Sequence, residues 1–146
     1  MQSENFKIGD QIFEIDTQNL KFSDVTLNSF FEKISGITDY VGSALAEASR
    51  QHSLLENSYK QAYISKFKEF KEAGKSDKTS ELYAEGDADV ALIKEQVINS
   101  KYIKDRLYAH LGALNNARDD AHNRGHMLRK EMDKLDMEIR IGTNGL

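Results

Sequence analysis

The sequence predicts a mainly α protein: a long antiparallel helical hairpin packed as a coiled coil, with a short extended or β N-terminal arm, and homo-oligomeric. Three observations predict it. No proline occurs anywhere in 146 residues, so nothing in the chain forbids very long helices. Two apolar seams repeat with alternating three- and four-residue steps, over about residues 24–74 and 87–140. Polar and turn-forming residues separate them. Helices of that length would each span about 75 Å at 1.5 Å per residue. Such a rod cannot bury a large core alone, so its seams must close on each other or on further copies.

Residues 1–23 differ from the rest. In QIFEIDTQNLKF, Phe13 and Ile15 alternate as a strand pair would, and Asp16, Thr17, Gln18 and Asn19 read as turn residues. A short hairpin or extended arm fits, too small to be stable by itself. The helical hairpin domain then occupies 24–146.

Ser23 and Asp24 are candidate N-caps for the first helix. Its seam runs through Leu27, Phe31, Ile34, Thr38, Val41, Leu45, Ala48, His52, Leu55, Tyr59, Ala62 and Lys66. Nine of these twelve are apolar or aromatic, enough to favour a packed seam over chance. Gly36 and Gly42 are expected to weaken it, since glycine costs about 1 kcal/mol relative to alanine in a helix. Residues 74–86 (GKSDKTSELYAEG) read as the connection, with a short turn of helix at Glu81–Ala84. Asp87 is placed to cap the second helix and Asp89 to sit at its positive end. The second seam runs from Val90 through Leu107, Leu111, Leu114, Ala121 and Leu128 to Ile139.

The charge is uneven. The formal net charge is −4, but residues 58–78 carry six lysines against three acids and 79–100 carry one lysine against five. Segregation of this kind marks either an interaction face or an ordinary solvated helix with i,i+4 pairs. The chain has no cysteine, so disulfides and thiolate metal sites are excluded. No run of about 20 apolar residues is present to span a membrane. The N-terminus lacks the basic start and apolar stretch of a signal peptide. A cytoplasmic location is the expectation, in the host if the protein is phage-encoded.

Chemistry-bearing clusters are sparse. His122 and His126 stand at helical ligand spacing, but HNRGH lacks a catalytic Glu, and Arg124 and Arg129 crowd it with positive charge. No metal, cofactor or catalytic residue is expected. The segment NSYKQAYISKFKEFKEAGKSDK says more. Lys60, Lys66, Lys68, Lys71, Lys75 and Lys78 interleave with Tyr59, Tyr63, Phe67 and Phe70. Cations that neutralise phosphates beside rings that stack on unpaired bases hold single-stranded nucleic acid. The same rings at helical spacing also fit a core with lysines snorkelling beside it. A second basic group, including Arg124 and Arg129, lies in the second helix.

The order of these motifs resembles the UvsY family of phage recombination mediators. A Lys- and aromatic-bearing helix end (Lys60, Tyr63, Lys66, Phe67, Lys68) precedes a polar connection. Then come Asp87-Ala88-Asp89-Val90, a Gly112-Ala113-Leu114 step and the Arg124-Gly125 pair. The likeness covers about residues 50–135. It implies a ring-like homo-oligomer that binds single-stranded DNA and helps load a RecA-like recombinase onto strands covered by a single-strand-binding protein. It implies no catalytic activity. Lys60, Tyr63, Lys66, Phe67, Lys68, Lys71, Lys75, Arg124 and Arg129 are the candidate DNA contacts. The alternative is a structural or adaptor coiled-coil phage protein with no nucleic-acid partner.

Overall fold

The computed structural model describes residues 3–17 and 20–144. Strands β1 (Glu4–Ile8) and β2 (Gln11–Ile15) form an antiparallel hairpin. Helices α1 (Leu27–Glu72), α2 (Asp77–Gly86) and α3 (Ala88–Asn144) follow. At 1.5 Å per residue α1 is about 70 Å long and α3 about 85 Å.

The long helices run antiparallel in a constant register. Leu27 meets Gly125, His52 bonds Ser100, and Lys66 pairs with Asp87. Each step up α1 is matched by an equal step down α3, which is what two interlocking heptad seams impose. Ile34, Val41, Leu45 and Ala48 of α1 and Leu107, Leu114 and Ala121 of α3 are buried in one continuous core. Helix α1 runs unbroken through Gly36 and Gly42, because burial along the seam outweighs their propensity cost.

A second apolar row explains the hairpin. Phe30, Ile37 and Ala44 each stand one residue before a seam position of α1. Ile103, His110 and Ala117 do the same on α3. In an antiparallel pair these rows flank one side of the seam, and the hairpin lies in the groove between them. Phe6, Ile8 and Ile15 point into it and are buried. Ile12 points the other way and is exposed. The Phe6 ring meets His110 edge-on at 5.9 Å, and Phe13 meets Tyr40 at 5.7 Å.

The hairpin turns at Gly9–Asp10, with Ile8 opposite Gln11. Gly9 has φ +60° and no other residue there has a positive φ. That is the pattern of a two-residue type II′ loop, whose twist suits paired strands. The expected turn at Asp16, Thr17, Gln18 and Asn19 is therefore misplaced. Asp16 and Thr17 follow β2 and lead away from it, and Gln18 and Asn19 lie outside the described residues.

Two other element assignments differ from expectation, while Asp87 caps the second long helix as expected. Thr26, not Ser23 or Asp24, occupies the N-cap of α1. Ser23 instead closes the preceding turn, accepting the Thr26 amide on its carbonyl at 3.1 Å. The connection contains a full helix rather than one short turn. Ser76 caps α2, its hydroxyl accepting the Thr79 amide at 3.2 Å, and Ser80 and Ala84, four apart, are buried against the long helices. Gly74, at φ +88°, ends α1 in the left-handed conformation that favours glycine. Asp87 caps α3, accepting the amides of Asp89 and Val90 at 3.0 and 3.1 Å.

Helix α3 outruns its partner. Gly125 lies against the first residue of α1, and from residue 129 to 143 every side chain is exposed. Met132, Leu135 and Ile139, the last members of the second seam, are 56–66% exposed.

Candidate nucleic-acid interface

The final third of α1 carries the lysine and ring strip. Tyr59, Tyr63 and Phe67 are four residues apart, so their rings rise one above another on the helix surface. The Tyr59–Tyr63 centroids are 6.3 Å apart. Tyr63 and Phe67 are 6.4 Å apart and within 20° of parallel. All three are half-buried. Phe70 turns instead toward α2, packing on Tyr83 at 5.3 Å.

The lysines fall into two groups. Lys60 and Lys68 are exposed and make no ion pair among the described residues. Lys66, Lys71 and Lys75 are engaged. The Lys66 ammonium sits 3.3 Å from Glu69 and 3.6 Å from Asp87. Its bond to Glu69, with the charge of Asp87, raises its pKa above the ordinary lysine value. Lys71 pairs with Asp77 at 2.7 Å, and Lys75 lies 4.4 Å over the Tyr83 ring. Tyr59, Lys60, Tyr63, Ile64 and Glu85 line a groove of about 260 Å³. Burial, then the carboxylates of Glu81 and Glu85, push the Tyr63 phenol above its ordinary value. The ring strip is thus an edge shared between α1 and the acidic helix α2.

Arg124 and Arg129 lie elsewhere. Register places Arg124 level with the first turn of α1 and Arg129 beyond it, about 50 Å from Lys60 at 1.5 Å per residue. Arg124 donates two parallel bonds to Asp24, both 2.8 Å, and approaches Glu131 at 4.0 Å. Its bond to Asp24 raises its pKa further above the ordinary arginine value. Arg129 is exposed, and its Nε donates to the Gly125 carbonyl at 3.4 Å. Within one chain the strip and this pair form separate basic sites.

The fold also assembles groups that sequence reasoning missed. His52, Ser100 and Glu56 form a row: His52 Nδ1 is 2.8 Å from Ser100 Oγ and its Nε2 is 3.3 Å from Glu56. The outline is that of a nucleophile, base and acid. However, the Ser100 hydroxyl donates to the Val97 carbonyl at 2.7 Å, and amides inside a helix are spent on its own ladder. The row forms a polar layer in the seam, beside a cavity that Gln51, Gln96, Asn99 and Ser100 help to line. The signal was present, since His52 and Ser100 are both seam positions.

A second cluster pins the hairpin. Arg106 donates through Nε and Nη2 to the Glu4 carboxylate. Buried His110 bonds Thr17 at 2.8 Å and faces Glu4 at 3.6 Å. His122 rests on the Phe31 ring, 4.6 Å away. Among the described residues no three His, Asp or Glu side chains are gathered as metal ligands.

The Arg106 bond holds the Glu4 carboxyl below its ordinary range, with His110 acting in the same direction. A depressed folded-state value contributes stability above the unfolded pKa that is lost as pH falls through the folded one. Hairpin amide protection is therefore expected to be flat down to about the ordinary carboxyl value and to drop below it. Glu4→Gln should remove that acid step and cost about 1 kcal/mol at neutral pH. Hydrogen exchange at Phe6 and Ile15, followed against pH, checks both; an unchanged acid step in the variant contradicts the assignment.

No family model, no curated protein and no solved structure matches this chain. Among the described residues no helix is long and apolar enough to cross a membrane.

Proposed function

We propose that this chain is a non-enzymatic single-stranded DNA-binding protein acting as a recombination mediator. It works as a homo-oligomer and helps load a RecA-like recombinase onto strands held by a single-strand-binding protein, in the cytoplasm. The observation that carries the DNA-binding reading is the three-ring ladder Tyr59–Tyr63–Phe67 with exposed Lys60 and Lys68 beside it. Rings stack on bases of any sequence, and each stacked base contributes about 1–3 kcal/mol. Lysines beside them neutralise phosphates and release counterions. The mediator role rests on the order of motifs shared with UvsY-type proteins.

A titration with fluorescent unstructured oligothymidylate tests it. Affinity is expected to fall steeply as salt rises. Lys60→Ala with Lys68→Ala should weaken binding about tenfold at low salt without changing helicity, each exposed contact being worth about a few-fold. Absence of binding at about 50 mM salt rejects the reading.

A second reading, a structural or adaptor coiled-coil protein without a nucleic-acid partner, is favoured by one observation. Lys66 and Lys71, in the middle of the strip, already have carboxylate partners. Under it the charged faces serve subunit contacts.

A further inference from the structure

Helix α2 carries Asp77, Glu81 and Glu85, with Asp87 at its end, against a single Lys78. Its acids are set against α1 where the lysine and ring strip lies. Asp77 takes Lys71 at 2.7 Å, Asp87 takes Lys66 at 3.6 Å, and Glu85 forms a wall of the groove that also contains Tyr59, Lys60, Tyr63 and Ile64. Tyr83 holds Phe70 by ring contact and Lys75 through its face. Each group on α1 suited to a phosphate or a base, apart from Lys60 and Lys68, thus has an α2 residue or a ring neighbour in that place.

We propose that the groove between α1 and α2 takes an unpaired nucleobase, stacked against Tyr59 and Tyr63, and that α2 is the gate over it. Its carboxylates stand where the strand's phosphates bind, so the strand enters by displacing them. The inference rests on the single-stranded DNA reading above and adds how that site is regulated. The groove, about 260 Å³, falls below the range of sites for drug-sized ligands and suits one ring system. Burial of Tyr63 beside Glu81 and Glu85 agrees with this placement, because both carboxylates already disfavour a phenolate there. Ser80 and Ala84 keep α2 packed, so only its carboxylates need move; their ion pairs with the strip are partly exposed, individually weak and salt-screened. A polyanion that offers several phosphates at once outcompetes them.

Three proteins are compared by anisotropy with labelled oligothymidylate at about 50 mM salt: wild type, Glu81→Gln/Glu85→Gln, and Asp133→Asn/Asp136→Asn. The last removes the same charge from the exposed end of α3. The α2 variant is expected to bind about tenfold tighter than wild type, since it removes two negative charges beside the groove that repel the strand's phosphates, each worth about a few-fold at an exposed site. The α3 variant should stay within about twofold. Asp77→Asn, which only frees Lys71 at an exposed site, should tighten binding by a smaller factor and serves as the second variant. Tyr59 and Tyr63 are two of six tyrosines in a chain without tryptophan, so stacking there shows as a partial loss of tyrosine emission. It should be quenched by the oligonucleotide in wild type and much less so in Tyr63→Ala. Equal gains in the α2 and α3 variants, or no gain in Glu81→Gln/Glu85→Gln and Asp77→Asn while wild type binds, overturn the gate. No binding by any protein overturns the DNA reading itself, and the gate with it.

Discussion

Leu107→Ala is expected to destabilise the folded chain by about 3 kcal/mol, within the range measured for buried Leu→Ala changes. Leu107 is fully buried. The register that sets His52 against Ser100 brings it level with Leu45, and both belong to the continuous core. Removing its branched end takes apolar area out of the seam and leaves a void. Two straight helices locked by neighbouring layers cannot close that void by local movement. For a domain of this size the melting temperature should fall by about 10 °C. Leu135→Ala is the matched control. The chemistry is the same, but Leu135 is 56% exposed on the part of α3 that no other described element covers, and it should cost under about 0.5 kcal/mol. Thermal unfolding followed by circular dichroism compares the two. Equal losses would mean that the buried seam is not where the stability resides.

Ile15→Asp should produce the next largest effect, of a different kind. Ile15 is 1% exposed at the end of β2, and a carboxylate there would stand directly opposite Glu4, whose partner Arg106 is already engaged, so it adds a like charge to a buried face. An unpaired buried charge is costly enough that the chain escapes it. The available escape is for the hairpin to leave its groove. The loss therefore saturates at the docking free energy of the hairpin, about 3 kcal/mol once the burial of Phe6, Ile8 and Ile15 is offset by the ordering of the segment. Helix content should be retained. A hydrophobic dye should bind, because Phe30, Ile37, Ile103 and Ala117 become accessible. Collapse of the helices in this variant would show that the hairpin is integral to the rod. An unchanged melting curve would show that it is not docked.

The long helices were legible because their determinants are local and repetitive. Val90 to Leu114 states the seam in sequence alone, and Asp87 announces the start of α3. The hairpin's turn was harder to place. Asp16, Thr17, Gln18 and Asn19 form a longer polar stretch than Gly9–Asp10, yet a two-residue loop needs only one glycine with positive φ. The hairpin's berth was illegible for another reason. Phe30, Ile37 and Ala44 look like a widening of the α1 seam until α3 supplies Ile103, His110 and Ala117 from the other side. Helix α2 was hidden by its polar composition, because two small buried residues, Ser80 and Ala84, fix it against its neighbours. The candidate site was legible as a list of lysines and rings. Which lysines were already engaged was not, since Asp77 and Asp87 reach Lys71 and Lys66 only after the chain has doubled back.

The overhanging end of α3 makes helicity itself a variable. Beyond Gly125 the helix continues for about 28 Å at 1.5 Å per residue with no second helix alongside. The overhang needs no nucleus of its own because it propagates from α3, but without tertiary packing chain entropy opposes its ladder and it frays from the end. Apolar surface laid over Met132, Leu135 and Ile139 would suppress that fraying. Ellipticity at 222 nm per residue should thus climb as the solution is concentrated or crowded with a covering molecule. The free end of the rod is an occupancy meter written in backbone hydrogen bonds.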